Sequence, residues 1–153
     1  MTEGWSTTSL SANADIHASL DNLRARSRQL FRDDPYARKF GSLVATNVVG
    51  ATGFALQARV YDPGGNPDQG ANNAIEAAWQ RWSTRKGGTS ACDAAGRQSL
   101  RDMLRTAIIT AARDGEGLIR FIRGADAGNP FGLSLQLLDI DRVDTSLNRP
   151  AEM

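Results

Sequence analysis

Residues 62–73 read DPGGNPDQGANN, with two prolines and three glycines in one run. A helix or strand crossing this run would lose hydrogen bonds at each proline and backbone entropy at each glycine, so the segment reads as a loop. Regular structure has to be built on either side of it. RKGGTSACDAAG, at 85–96, is a second loop of the same kind.

Before the first loop, Ile16, Leu20, Leu23, Leu30 and Phe31 recur at helical steps, which predicts a helix over 13–33 capped by Asn13 or Asp15. Asp34-Pro35 then predicts a new start. Asp34 can accept orphan amide hydrogens, and Pro35 suits the first helical position because it has no amide hydrogen to leave unpaired. Tyr36, Phe40, Leu43, Val44 and Val48 carry the second period, and Gly50 and Gly53 end it. FALQARVY, at 54–61, alternates at period two and reads as a short strand.

After the loop, Ile75, Ala78, Trp79 and Trp82 predict a helix over 73–84 with both indoles on one stripe. Leu100, Met103, Leu104, Ala107, Ile108 and Ala111 predict a helix over 97–113, about 25 Å long, ended by Asp114-Gly115. LIRFIR and LSLQLLDI, joined by GADAGNPFG, predict a hairpin with a long tip. The fold class is α+β, with amphipathic helices packed against a short strand and a C-terminal β-hairpin. Residues 1–12 read as a flexible arm and 13–153 as one segment. Because a lone hairpin is marginal without further strands or a covering surface, that segment is expected to be an incomplete domain.

Chemistry is sparse. The chain of 153 residues has one histidine and one cysteine, and neither stands in a recognisable catalytic pairing. His17 is expected to be solvated or to cap the helix and Cys92 to be a packing group, and no enzyme activity, cofactor or metal is expected. Asp139, Asp141 and Asp144 are the best metal candidates, since Asp139 and Asp141 would share a face of a strand, but carboxylates on a solvated face with Arg142 nearby are the commoner situation. Asp62, Asn66 and Asp68 miss the EF-hand order, and RKGGTS misses the P-loop order. No stretch is long and apolar enough to span a membrane, and the first residues do not form a secretory signal. With a net charge of +1 there is no global field for nucleic acid. Locally, Arg24, Arg28 and Arg32 follow one another at four-residue steps, with Arg26 beside them. This stripe is a candidate contact for phosphate or a neighbouring subunit, or a solvated face. A small helix-turn-helix regulator, with the break at Asp34-Pro35, is the alternative functional class.

LRARSRQLFRDDPYARKFGSLVATNVVG, AAWQRWS, CDAAGRQS, AARDGEGLIRF and LQLLDIDRVDT occur in this order from 23 to 145. Together they resemble the amino-terminal portion of lambda-type phage portal proteins. The resemblance implies a wing-like structural segment in a closed, commonly twelvefold ring at one capsid vertex, through which DNA is packaged and ejected. It implies other portal subunits, terminase, capsid, scaffold and head-completion proteins as partners, and DNA for the complete ring. The expected location is the virion, after assembly in the host cytoplasm.

Overall fold

The computed structural model describes Ile16 and residues 19–144. Among them the order is α1 (Leu20–Asp33), α2 (Pro35–Val48), α3 (Gln69–Ser83), β1 (Arg85–Lys86), β2 (Thr89–Ser90), α4 (Leu100–Asp114), β3 (Leu118–Arg123) and β4 (Leu133–Leu138). Short 3-10 turns cover Gly124–Ala127 and Ile140–Arg142. The class is α+β as expected. The proposed caps Asn13 and Asp15 and the arm over 1–12 lie outside the described residues.

Local chemistry sets the helix boundaries. Asp34 accepts the Tyr36 amide hydrogen at 2.7 Å and Pro35 opens α2. α3 starts earlier than its apolar period does, because the Asp68 carboxylate accepts from the Ala71 amide at 2.9 Å and caps it there. α4 starts later than expected. Asp93 holds the amides of Arg97 and Gln98 at 2.8 and 2.9 Å, keeping both in the loop, and Ser99 and Asp102 form a reciprocal capping box. Gly115, at φ 86°, supplies the left-handed C-cap after Asp114.

Two strand expectations change. The segment 54–61 is not a ladder strand, and only Tyr61 makes an isolated bridge, to Pro67. Side chains of α3 bond part of its backbone instead, and the Asp68 amide donates to the Val60 carbonyl at 2.9 Å. Ala58 donates to Glu76 at 3.0 Å, Val60 donates to Asn72 at 2.7 Å, and the Asn72 amide returns a bond to the Val60 carbonyl at 3.3 Å. The loop at 85–96, expected to be irregular, contains the β1–β2 hairpin. It is turned by Gly87 and Gly88, both at positive φ, as a two-residue hairpin turn requires.

The core gathers Trp82, Cys92, Leu100 and Met103, with Trp79, Leu104, Leu133, Leu135 and Leu137 packed around them. The predicted indole stripe is present, with Trp79 and Trp82 ring centroids 5.3 Å apart. The Trp82 indole donates to the Leu133 carbonyl at 2.8 Å, pinning α3 to β4. β3 and β4 pair antiparallel from Leu118↔Leu138 to Arg123↔Leu133.

α1 and α2 turn only part of their apolar stripes inward, Leu20, Phe31 and Val44 being half-buried. On α1, Leu23 and Leu30 are 47% and 53% exposed, while Arg24 is buried and Ser27, Arg28 and Phe31 are half-buried. On α2, Phe40, Leu43 and Val48 are exposed and the small residues Gly41 and Ala45 are buried. Small residues let helices approach closely, and a Cβ built at Gly41 would stand 2.7 Å from Cε1 of Phe31. Gly41→Val is therefore expected to destabilise the chain by about 1–3 kcal/mol through overpacking, outweighing any gain over glycine in helix propensity. Urea denaturation checks this, and a neutral or stabilising result would show that the α1–α2 contact yields.

Candidate interaction site at the arginine stripe

α1 lies against the C-terminal end of α4, and the arginine stripe occupies that junction. Spacings of three and four residues place Arg24, Ser27, Arg28 and Phe31 on one helical face, which here is the inward one. The Ser27 hydroxyl donates to the Arg113 carbonyl in the last turn of α4, one of the acceptors that a helix end leaves open. Arg24 is buried, reaches Glu116 just past that helix end and lies 3.9 Å from Asp21. Its Nε has no hydrogen-bond partner.

Arg28 is the centre of the arrangement. It donates to Asp114 through Nε and Nη2, both at 3.1 Å, and to Asp141 through Nη1 at 2.6 Å and Nη2 at 3.0 Å. Asp139 stands 3.7 Å from the same guanidinium. Arg113 approaches Asp114 from the other side, with both of its bonds at 2.8 Å. The Asp114 carboxylate, its side chain 1% exposed, thus accepts four charge-assisted hydrogen bonds. This offsets its position at a helix C-terminus, where the dipole disfavours an anion.

These contacts move the titrations in consistent directions. Hydrogen bonds from Arg113 and then Arg28, against the opposing effect of burial, hold Asp114 down at about 2. Asp141 is lowered chiefly by its hydrogen bond to Arg28. Hydrogen bonds to Asp141 and Asp114 raise Arg28 above its ordinary value. A carboxylate with a depressed folded pKa stabilises the fold above its ordinary value of 3.8, and this contribution is lost as pH falls toward 2. We expect Asp114 to account for about 2 kcal/mol of stability lost across that window. Denaturation of the parent chain and of Asp114→Asn between pH 5 and pH 2 checks it. The variant should lose less over that range, and parallel curves would show that Asp114 does not carry the acid sensitivity.

The three candidate arginines do not form one open stripe. Arg24 and Arg28 are spent on acidic residues of the same chain, while Arg32 is exposed and pairs with its neighbour Asp33 at 3.2 Å. Asp139 and Asp141 are not strand neighbours either: Asp139 caps the turn Ile140–Arg142, and Asp141 lies within it. Arg28, not Arg142, neutralises them. Asp114 is the hub that sequence reasoning missed, because Asp114-Gly115 reads as a helix stop and Arg28, the partner that ties it to α1, lies 86 positions away.

Among the described residues no group of three or more His, Cys, Asp or Glu side chains converges as a metal site. Cys92 is fully buried and its thiol is pushed up, first by burial, with the Ser90 hydrogen bond acting in the opposite direction. It is therefore a protonated packing group near neutral pH. His17 lies outside the described residues. Asp34 alone separates α1 from α2, whereas a helix-turn-helix needs a turn of three or four residues, so the geometry gives no support to the regulator alternative. No helix among the described residues is long and apolar enough to cross a membrane.

The family model described as phage portal protein, lambda family, matches residues 1–153. The chain is 31% identical over 150 residues to a probable portal protein of Halomonas phage phiHAP-1. That match covers 97% of this chain and 28% of the relative, so the chain spans little more than a quarter of the relative's length.

Proposed function

The chain belongs to the lambda family of phage portal proteins, and on that premise we propose that residues 1–153 form a structural, wing-like segment of a portal subunit with no catalytic role. The observation that carries the reading is the family match over the whole chain. The packing is in keeping with it: α4 lies along α2 and leads directly into the β3–β4 hairpin, so helices, turn and hairpin form one scaffold braced by the α1–α4 ion pairs.

In this role the segment belongs to a ring at the capsid vertex, in the virion, assembled in the host cytoplasm. Its partners are other portal subunits, terminase, capsid, scaffold and head-completion proteins, with DNA passing through the complete ring. Within the stripe, Arg32 is the residue left to meet a neighbouring subunit or phosphate, since Arg24 and Arg28 brace α1.

A chimera tests this. Residues 1–153 would replace the matched stretch of the Halomonas phage relative, and the purified product would be viewed by negative-stain electron microscopy. Rings are expected, and a folded chimera that remains monomeric would overturn the reading. The chain alone is expected to bind duplex DNA weakly, and tight binding with a steep salt dependence would favour the regulator.

A further inference from the structure

We propose that the outer edge of β3 accepts an added strand, supplied by the part of the portal subunit outside residues 1–153 and carrying apolar side chains at alternate positions. The proposal rests on the portal reading.

The hydrogen-bond parity of the hairpin identifies the open edge. Gly124 donates to Gly132 at 2.9 Å, one step beyond the Arg123↔Leu133 pair. Bonded and non-bonded pairs alternate in an antiparallel ladder, so Leu118, Arg120 and Ile122 exchange bonds with β4 while the backbone groups of Ile119, Phe121 and Arg123 point away. Among the described residues those outward groups have no partner. The outer edge of β4 is already occupied: Leu135 donates to Cys92 at 2.7 Å and accepts from Ala94 at 2.9 Å. Among the described residues, β3 is therefore the edge left open along its whole length.

Side chains point to the same place. Ile119 and Phe121 share a face with Leu137 and Leu135, which pack on the core. Phe121 is nevertheless 58% exposed and Ile119 37%. One face of the hairpin is thus core at β4 and, apart from the Arg123 guanidinium 5.9 Å from the Phe121 ring, open at β3. An apolar groove of about 300 Å³, lined by Val48, Phe54, Leu104, Ile108 and Ile119, reaches this edge. A strand added there would satisfy the outward backbone groups and send alternate side chains toward Phe121 and the groove.

Charge and length argue for the source. A second copy of β3 would bring another Arg120 and Arg123 to an edge that already carries both, whereas a neutral or acidic strand meets no such repulsion. The relative has about 72% of its length outside the matched stretch, ample to supply a strand.

The test adds overlapping peptides, covering the Halomonas phage relative outside the matched stretch, to the purified chain and follows amide hydrogen exchange. One peptide is expected to slow exchange at Ile119, Phe121 and Arg123 by about tenfold or more. Phe121→Asp, or Phe121→Ser should the first not fold, should abolish that protection with the circular dichroism unchanged. Absence of any protecting peptide, or protection that survives both variants, overturns the proposal. So does an edge already protected in the chain alone with light scattering at the mass of a dimer, since a second copy would then hold it. None of these outcomes bears on whether the chimera forms rings, which tests the portal reading itself.

Discussion

Asp114→Ala is expected to cost about 2–4 kcal/mol, at the lower side of the range for breaking a buried ion pair because Arg28 and Arg113 are 30% and 35% exposed. Asp114 is the one carboxylate among the described residues that is both fully buried and shared between two arginines, Arg28 from α1 and Arg113 from α4. Its loss leaves Arg113 without its acidic neighbour and Arg28 with only the exposed Asp139 and Asp141. Single domains have about 5–15 kcal/mol of stability in all, so the variant should unfold at much lower urea or near ambient temperature. Asp141→Asn is the internal comparison. Its carboxylate is exposed and screened by water, and its removal should cost far less. Equal losses in the two variants would mean that burial of Asp114 is not what secures α1.

Trp82→Ala should have an effect of similar size by a different route. The indole is the largest member of the buried cluster, and truncating a buried aromatic to alanine costs about 3–5 kcal/mol through lost transfer energy and the cavity left behind. Little of that cost is hydrogen bonding, because the Leu133 carbonyl keeps a second donor, the Asn129 side-chain amide at 3.1 Å. Trp82→Phe should accordingly recover most of the stability despite lacking the indole donor. Urea denaturation of both variants, followed by circular dichroism, separates the two contributions. A phenylalanine variant as unstable as the alanine one would show that the bond to β4 matters more than the volume.

The sequence revealed most of the element list and little of the orientation. Asp34-Pro35, Gly50, Gly53 and Asp114-Gly115 are local signals, and each acts as its chemistry requires. The period of Leu20, Leu23 and Leu30 correctly indicates a helix, but it says only which side chains share a face, not which face turns inward. On α1 the inward face carries Arg24 and Arg28, because acidic partners 92, 86 and 113 positions away converge there. Such convergence leaves no local trace. Residues 54–61 illustrate the complementary failure: alternation records an extended backbone, whereas a strand also needs a partner, and here Asn72 and Glu76 of α3 take that place. The arginine stripe was legible as a cluster of charge, but its bracing role depends on Asp114, Glu116 and Asp141.

The bracing of α1 also sets an order of events during synthesis. Arg28 is made 113 residues before Asp141 and 86 before Asp114. At roughly 5–20 residues per second, α1 waits about 6–23 s after leaving the ribosomal tunnel before the last of its counter-charges emerges. Until Asp114 emerges Arg28 has none of these counter-charges, although Phe31 of α1 can already meet Gly41 of α2. Attachment of the first helix to α4 therefore reports that translation has passed Asp114, and a nascent chain stalled short of it would present the arginine face of α1 to proteases and chaperones.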